Sequence, residues 1–350
     1  MFRCRDAQWT KVSSIPSVNT CLRERIKVDD TCNTWNVHKT MKHACCEGNL
    51  YIVRKLLEHE FYNLDSYFHE ACKGGHRDIV DLLIERGANS WDYGLKGACK
   101  GGHIDLAYYM FELGANRIDI GLGGACEGGH LDIVNMVMKR GANEWNLGLR
   151  SACKGGHLNI AEMMIERGAY DWNSGLCYAC QRGDRVLVDR MIEQGASDWD
   201  CGLRGACDGG QYDLAMLMIE NGASDWDDGL YDAYIEGQLA SRNTYNVCLK
   251  GHRNIVDLLI AHGATSWNLG LYGACRGGHI DLVNFLIERG ANDWNRGLQG
   301  ACEEGHIDLV RLMIEKGATN LKKGIKHARS CRRMRRDKCF NDIVKLLKSK

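Results

Sequence analysis

Apolar residues recur along this chain with a helical period. Between Ile280 and Arg289, the residues Ile280, Leu282, Val283, Leu286 and Ile287 mark out one stripe of an amphipathic helix. Asp281 in its first turn and Arg289 in its last both suit the helix dipole, and Gly290 ends it. The stretch before it, Leu271 to Arg276, predicts a short helix of small residues, in which Gly273, Ala274 and Cys275 let a neighbouring backbone come close. Gly277-Gly278 breaks the chain between the two. The local unit is therefore helix–turn–helix followed by a short connector that carries a tryptophan.

That unit repeats. Cys45, Cys72, Cys99, Cys126, Cys153, Cys180, Cys207, Cys248, Cys275 and Cys302 follow one another at 27 residues, except that Cys207 and Cys248 are 41 apart, which is 27 plus an insertion of 14. Trp145, Trp172, Trp199 and Trp226 keep the same spacing, as do Trp267 and Trp294, and Trp91 stands two periods before Trp145 with Ile118 between them. A fixed period of this size predicts a solenoid of stacked units, each too small to bury its apolar face alone.

The run A-C-x-G-G-H-I-D-L-V-x-x-L-I-E-R-G-A-N-D-W-N resembles the A-A-x-x-G-H-x-x-V-V-x-x-L-L-x-x-G-A-D-V-N core of ankyrin repeats, best at Ala274–Asn295 and Ala71–Trp91. The resemblance covers about ten units over residues 41 to 320. Two features depart from the family pattern: the unit has 27 residues rather than 33, and G-L pairs such as Gly94-Leu95, Gly270-Leu271 and Gly297-Leu298 replace the T-P-L-H segment. The missing residues are those of the β-turn finger, so the chain is similar to the finger-poor ankyrin variety of large DNA viruses. The resemblance implies an all-α solenoid of ankyrin-type helix–turn–helix repeats, a non-enzymatic scaffold for protein partners, and a concave face lined by the first helices.

Composition narrows the alternatives. Lys+Arg and Asp+Glu each number 45, so no global field steers the chain toward nucleic acid or anionic membranes. Hydrophobic residues at 45% and charged residues at 26% exclude wholesale disorder, and a lone proline, Pro16, excludes proline-rich linkers. The first twenty residues lack the apolar stretch of a secretory signal, and no 18-residue apolar run offers a membrane span. The 18 cysteines are accordingly expected as reduced thiols in an intracellular protein, cytoplasmic or nuclear, in the host cell if the source is viral.

Candidate chemistry is thin. His76, His103, His130, His157, His252, His279 and His306 follow a turn glycine and form C-x3-H with the upstream cysteine, a spacing that could suggest zinc. Stacked helices lie about 8–10 Å apart, which keeps equivalent cysteines of adjacent units from sharing a metal or a disulfide. Cysteine is thus expected to fill a small buried slot and histidine to hold the turn. Cys177 and Cys180 form a lone C-x-x-C inside a repeat helix, and the tryptophans are expected to plug the joints between units. No catalytic motif, cofactor site or metal site is expected, because a residue repeated in every unit belongs to the scaffold.

The positions that vary from unit to unit are the informative ones. After the repeat's leucine stand Lys96, Gly123, Arg150, Cys177, Arg204, Tyr231, Tyr272 and Gln299; after its cysteine stand Lys73, Lys100, Glu127, Lys154, Gln181, Asp208, Arg276 and Glu303. Both sets fall on first helices. Basic and aromatic side chains suit interface anchoring, which makes Lys96, Lys100, Arg150, Lys154, Arg204, Tyr231, Tyr272 and Arg276 the candidate partner-binding residues.

Three segments break the pattern. Residues 1–40 are read as an N-terminal cap or leader, and the 14-residue insertion falls near Gln238–Leu249. Residues 321–350 carry twelve Lys+Arg against Asp337 and Asp342, a local charge of twelve minus two, or +10. This basic segment is expected to cap the array, with Ser330–Phe340 as a basic loop and Asn341–Lys350 as a capping helix. Its R-R-M-R-R-D-K run also suits nuclear import or nucleic acid, which supplies the alternative function of a nuclear or nucleic-acid-associated effector. The leading expectation is a monomeric scaffold that binds a protein along its groove and has no membrane contact.

Overall fold

The structure, a computed structural model, describes residues 34–58, 64–226, 248–335 and 338–349. Among them every regular element is an α-helix, and the helices alternate in two rows. The first row holds the helices beginning at Thr34, Leu64, Trp91, Ile118, Trp145, Trp172, Trp199, Trp267, Trp294 and Leu321. The second row holds those beginning at Leu50, Arg77, Ile104, Leu131, Leu158, Arg185, Tyr212, Arg253, Ile280, Ile307 and Lys338. The chain is an all-α solenoid.

Each unit is closed by an interlock that its sequence encodes. The stripe of the second helix is buried against the first, as with Leu282, Val283 and Leu286 over Leu271, Ala274 and Cys275. In the units of Gly94, Gly148, Gly175, Gly202 and Gly297, the glycine of the G-L pair provides a notch for a methionine of the second helix. A Cβ on Gly148 would lie 2.5 Å from Met164 Sδ, and one on Gly297 would lie 2.5 Å from Met313 Sδ. The first helix ends on a left-handed glycine, Gly102 at φ +83° in the unit of Trp91, and the amides of Gly102 and His103 both return to Ala98 O.

Units join mainly through the first row. Gly97, Gly101, Gly124 and Gly128 bring successive first helices so close that an added Cβ would meet the previous helix's backbone carbonyl. Buried cysteines fill the slots between them, with Cys72, Cys99, Cys126 and Cys153 all fully buried. Burial pushes the Cys99 and Cys126 thiols up to about 12. Second-row helices touch their successors far less than first-row helices do. The first row is therefore the shorter one, and the stack curls toward it. The curl brings the opening helix, Thr34–Cys46, into contact with the last first-row helix, Leu321–Arg335.

The turn histidines are latches between units rather than local turn braces. His103 Nε2 lies 3.1 Å from Lys73 O and His130 Nε2 lies 3.2 Å from Lys100 O, so each ring pairs with a carbonyl near the end of the previous first helix. A second latch sits beside the tryptophans. Asp92 Oδ1 accepts the amides of Asn116 and Arg117, both at 2.9 Å, and Asn146 Oδ1 accepts those of Tyr170 and Asp171. The tryptophans themselves are half-buried at the joints and packed against the core; Trp91 meets Phe68 edge-on at 5.7 Å between ring centroids.

At the insertion, residues 227–247 lie outside the described residues, yet the stacking continues across it. A Cβ on Gly210 would meet the ring of His252 just as one on Gly75 would meet His103, and Lys250 Nζ reaches Asp208 Oδ1 at 2.5 Å. The C-terminal segment departs from the expected loop. Its first helix runs to Arg335 and its second already begins at Lys338, so most of Ser330–Phe340 is helical. Lysine and arginine are good helix formers, and no glycine pair stops this helix at the usual length. Ala328, Phe340, Ile343 and Leu347 are buried, which makes the basic segment a folded end unit.

Candidate partner-binding face

The varying positions line the inside of the curl because they sit one residue beyond the buried leucine and cysteine of each first helix. There the structure gathers four of the candidate residues around one cleft. Lys96, Arg150 and Lys154 line it together with Ile120, Gly123, Glu127, Leu147, Ser151 and Tyr178, and its volume is about 210 Å³. Lys100 joins them through Glu127, whose Oε1 is 2.9 Å from Lys100 Nζ and 3.1 Å from Lys154 Nζ.

The cleft exists because Gly123 has no side chain. In the neighbouring units the same position holds Lys96 and Arg150, and Gly123 leaves a gap between them that is floored by Leu147 and Ile120. A Cβ at Gly123 would approach only the flexible end of Leu147, at 3.2 Å. Adjacent Gly124 has no such freedom, because its Cβ would lie 2.5 Å from Lys96 O. The two glycines of one helix thus do different things: one opens the surface and the other closes the joint.

Electrostatics give the cleft its sign. Burial alone would raise the Glu127 carboxyl, but hydrogen bonds and charge from Lys100 and Lys154 outweigh it and hold the group below the usual carboxylate range. Glu127 stays ionised and bridges three units. Four cations, Lys96, Lys100, Arg150 and Lys154, against that one carboxylate leave a surplus of three positive charges. Among the described residues neither Lys96 nor Arg150 has a carboxylate at ion-pair distance, and Arg150 is exposed.

The other candidates lie elsewhere. Tyr272 and Arg276 belong to a separate acidic cluster, where Tyr272 Oη donates to Glu303 at 2.9 Å and Arg276 Nε lies 3.6 Å from Glu303 and 3.3 Å from Glu304. His327 Nδ1 closes on Glu303 at 3.4 Å. Arg204 sits beside the thiols of Cys177 and Cys201. Tyr231 lies outside the described residues. The residues absent from the candidate set, Gly123, Glu127, Ile120, Leu147 and Tyr178, are the ones that shape the cleft. Gly123 carried a signal, as the position's lone residue without a side chain.

An ankyrin repeat family model matches residues 63–92, which span one helix pair and its connector, the same pair that recurs along the array. No curated protein matches the chain.

Proposed function

We propose that this chain is an ankyrin-repeat protein that captures an acidic, partly apolar segment of a partner protein in the Gly123 cleft. The surplus positive charge around that cleft carries the reading, since Lys96 and Arg150 flank an apolar floor without carboxylates of their own. Arginine suits bidentate capture of a carboxylate, and Leu147 with Ile120 takes an apolar neighbour.

The test uses labelled peptides that alternate Glu with Leu, together with Lys-Leu counterparts of equal length. The acidic peptide binds the full chain, and Lys96→Glu with Arg150→Glu weakens it at least tenfold, with an association rate that falls as salt rises. Equal binding of both peptides, or no effect of the double substitution, overturns the proposal. A second reading comes from the end unit, where exposed Lys322, Lys326 and Arg329 at helical spacing present a basic stripe suited to phosphates. Binding of a duplex of arbitrary sequence with a steep salt slope, lost with those three residues and indifferent to Lys96 and Arg150, supports that reading instead.

A further inference from the structure

Two side chains that meet at one boundary have no part in the cleft or in the repeat's framework. At the boundary between helices Trp172–Arg182 and Trp199–Gly209, the thiols of Cys177, Cys180 and Cys201 come together. Cys180 is the fully buried framework cysteine of its unit, whereas Cys177 and Cys201 are half-buried on the inner face. The Cys177 and Cys201 thiols lie close enough across the boundary for each to shift the other's titration. Framework cysteines 27 residues apart belong to different slots; these two are 24 apart, and that separation is where neighbouring first helices touch.

The same two positions meet at other boundaries. In the units of Leu64 and Trp91 they are His69 and Tyr93, with His69 Nδ1 3.0 Å from Tyr93 O. In the units of Ile118 and Trp145 they are Gly123 and Leu147, where a Cβ on Gly123 lies 3.2 Å from Leu147 Cγ. A leucine Cγ stands where a cysteine Sγ would stand. In a disulfide, the Cβ of one residue lies about 3 Å from the sulfur of the other, given an S–S bond of about 2.04 Å. At the Gly123–Leu147 boundary the repeat therefore holds this pair of positions at a comparable separation.

We infer that Cys177 and Cys201 form a reversible disulfide between adjacent units when a peroxide supplies the oxidising equivalents. Cys201 is the attacking sulfur. The neighbouring Cys177 thiol lowers its pKa most; burial opposes this, Arg204 assists, and Asp198 and Asp171 oppose. Cys177 is pushed up by the Cys201 thiol and by burial, so it keeps its proton. The Cys201 thiolate attacks one oxygen of hydrogen peroxide; the S–O bond forms, the O–O bond breaks, and hydroxide leaves to take up a proton as water. The Cys177 sulfur then attacks the Cys201 sulfenic sulfur, the S–S bond forms, and the oxygen departs as a second water with the Cys177 proton. Two thiols lose two electrons and one peroxide becomes two waters. A thiol reductant reverses the bond. The staple sits at the edge of the cleft, since Tyr178 beside Cys177 lines it, but its formation is independent of what the cleft binds.

The full-length protein is treated with graded hydrogen peroxide, its free thiols are blocked with N-ethylmaleimide, and it is digested without reduction for mass spectrometry. The expected product is a linked pair of peptides containing Cys177 and Cys201 that dithiothreitol separates. Cys177→Ser removes the link and lets dimedone trap a sulfenic acid on Cys201, while Cys201→Ser removes both. Ser174 occupies the Cys201 position one unit earlier, and Lys96, Gly123 and Arg150 occupy the Cys177 position, so the variants are expected to keep the wild-type circular dichroism. The inference is overturned if peroxide leaves both thiols free in the folded protein, drives Cys201 to sulfinic acid without a link, or links Cys201 to Cys180.

Discussion

Gly123 and Gly124 are neighbours in the interior of one helix, Ile118–Gly128, so replacing either by alanine has the same intrinsic effect. Restricting the unfolded chain and improving helix propensity stabilises by about 0.5–1 kcal/mol. Packing separates the two. At Gly123 the new methyl meets Leu147 side-chain atoms at 3.2 to 3.4 Å, and a small rotation of that half-exposed leucine relieves the contact. At Gly124 it meets Lys96 O at 2.5 Å and Cys99 Cβ at 3.4 Å. A backbone carbonyl cannot rotate away, so the two first helices must part, and overpacking of this kind costs about 1–3 kcal/mol. Subtracting the intrinsic gain leaves Gly124→Ala destabilised by up to about 2.5 kcal/mol, while Gly123→Ala is stabilised by up to about 1 kcal/mol. Urea titration followed by far-ultraviolet circular dichroism measures both, with the slope used to check that the same surface unfolds. If the two variants shift in the same direction by equal amounts, the close approach of first helices is not what holds the units together.

Further outcomes follow from the joints and the end unit. His130→Ala removes the bond to Lys100 O and is expected to cost about 1 kcal/mol in the same titration. Because the folded Glu127 carboxyl titrates below its unfolded value, its contribution is present at neutral pH and is lost as pH falls through the folded value; Glu127→Gln removes that acid-sensitive part of a stability–pH profile. Trp172 is half-buried, so Trp172→Ala is expected to cost about 2 kcal/mol in thermal melts rather than the 3–5 of a fully enclosed ring, and to leave peptide binding unchanged. Ending the chain at Asn320 removes Phe340, Ile343 and Leu347, which are 1%, 0% and 3% exposed, and uncovers the stripe from Leu309 to Ile314. Light scattering should then report aggregation, and a monodisperse truncated protein would show that the end unit is dispensable.

The repeat was legible because its apolar stripe, its left-handed glycines and its buried cysteines recur at one spacing, and each recurrence is the same physical demand. Leu282, Val283 and Leu286 could be assigned to the core from periodicity alone, and they are buried. The roles of the recurring turn residues were less visible within a single unit. His103 appears next to its own turn, but its partner is Lys73 O, thirty residues back. Asp92 follows its own tryptophan, yet it serves the connector 24 residues ahead. Such roles belong to pairs of units, and a consensus derived by superposing units erases them. The C-terminal segment is a helix where its composition suggests a loop for a related reason: a high density of lysine and arginine marks solvent exposure as readily on a helix as in a loop, and nothing in Ser330–Arg335 breaks a helix.

The cleft was half legible, and its missing half explains how a repeat acquires an individual site. Comparing positions across units picked out Lys96, Lys100, Arg150 and Lys154 as residues free to vary, because the core places no demand on them. The same comparison also returned Tyr272 and Arg276, which the structure ties to Glu303 and Glu304. Variation alone does not distinguish a charge offered to solvent from one spent on a neighbouring unit. The distinction needs the inter-unit register, in which a residue meets the side chain 24 positions ahead and flanks its own counterpart 27 ahead. In that register Gly123 faces Leu147 and stands between Lys96 and Arg150, so a single missing side chain exposes an apolar floor and parts two cations. Filling that gap while keeping every charge, as in Gly123→Leu, should therefore abolish acidic-peptide binding as completely as reversing Lys96 and Arg150. If it does not, charge alone is sufficient and the cleft has no role.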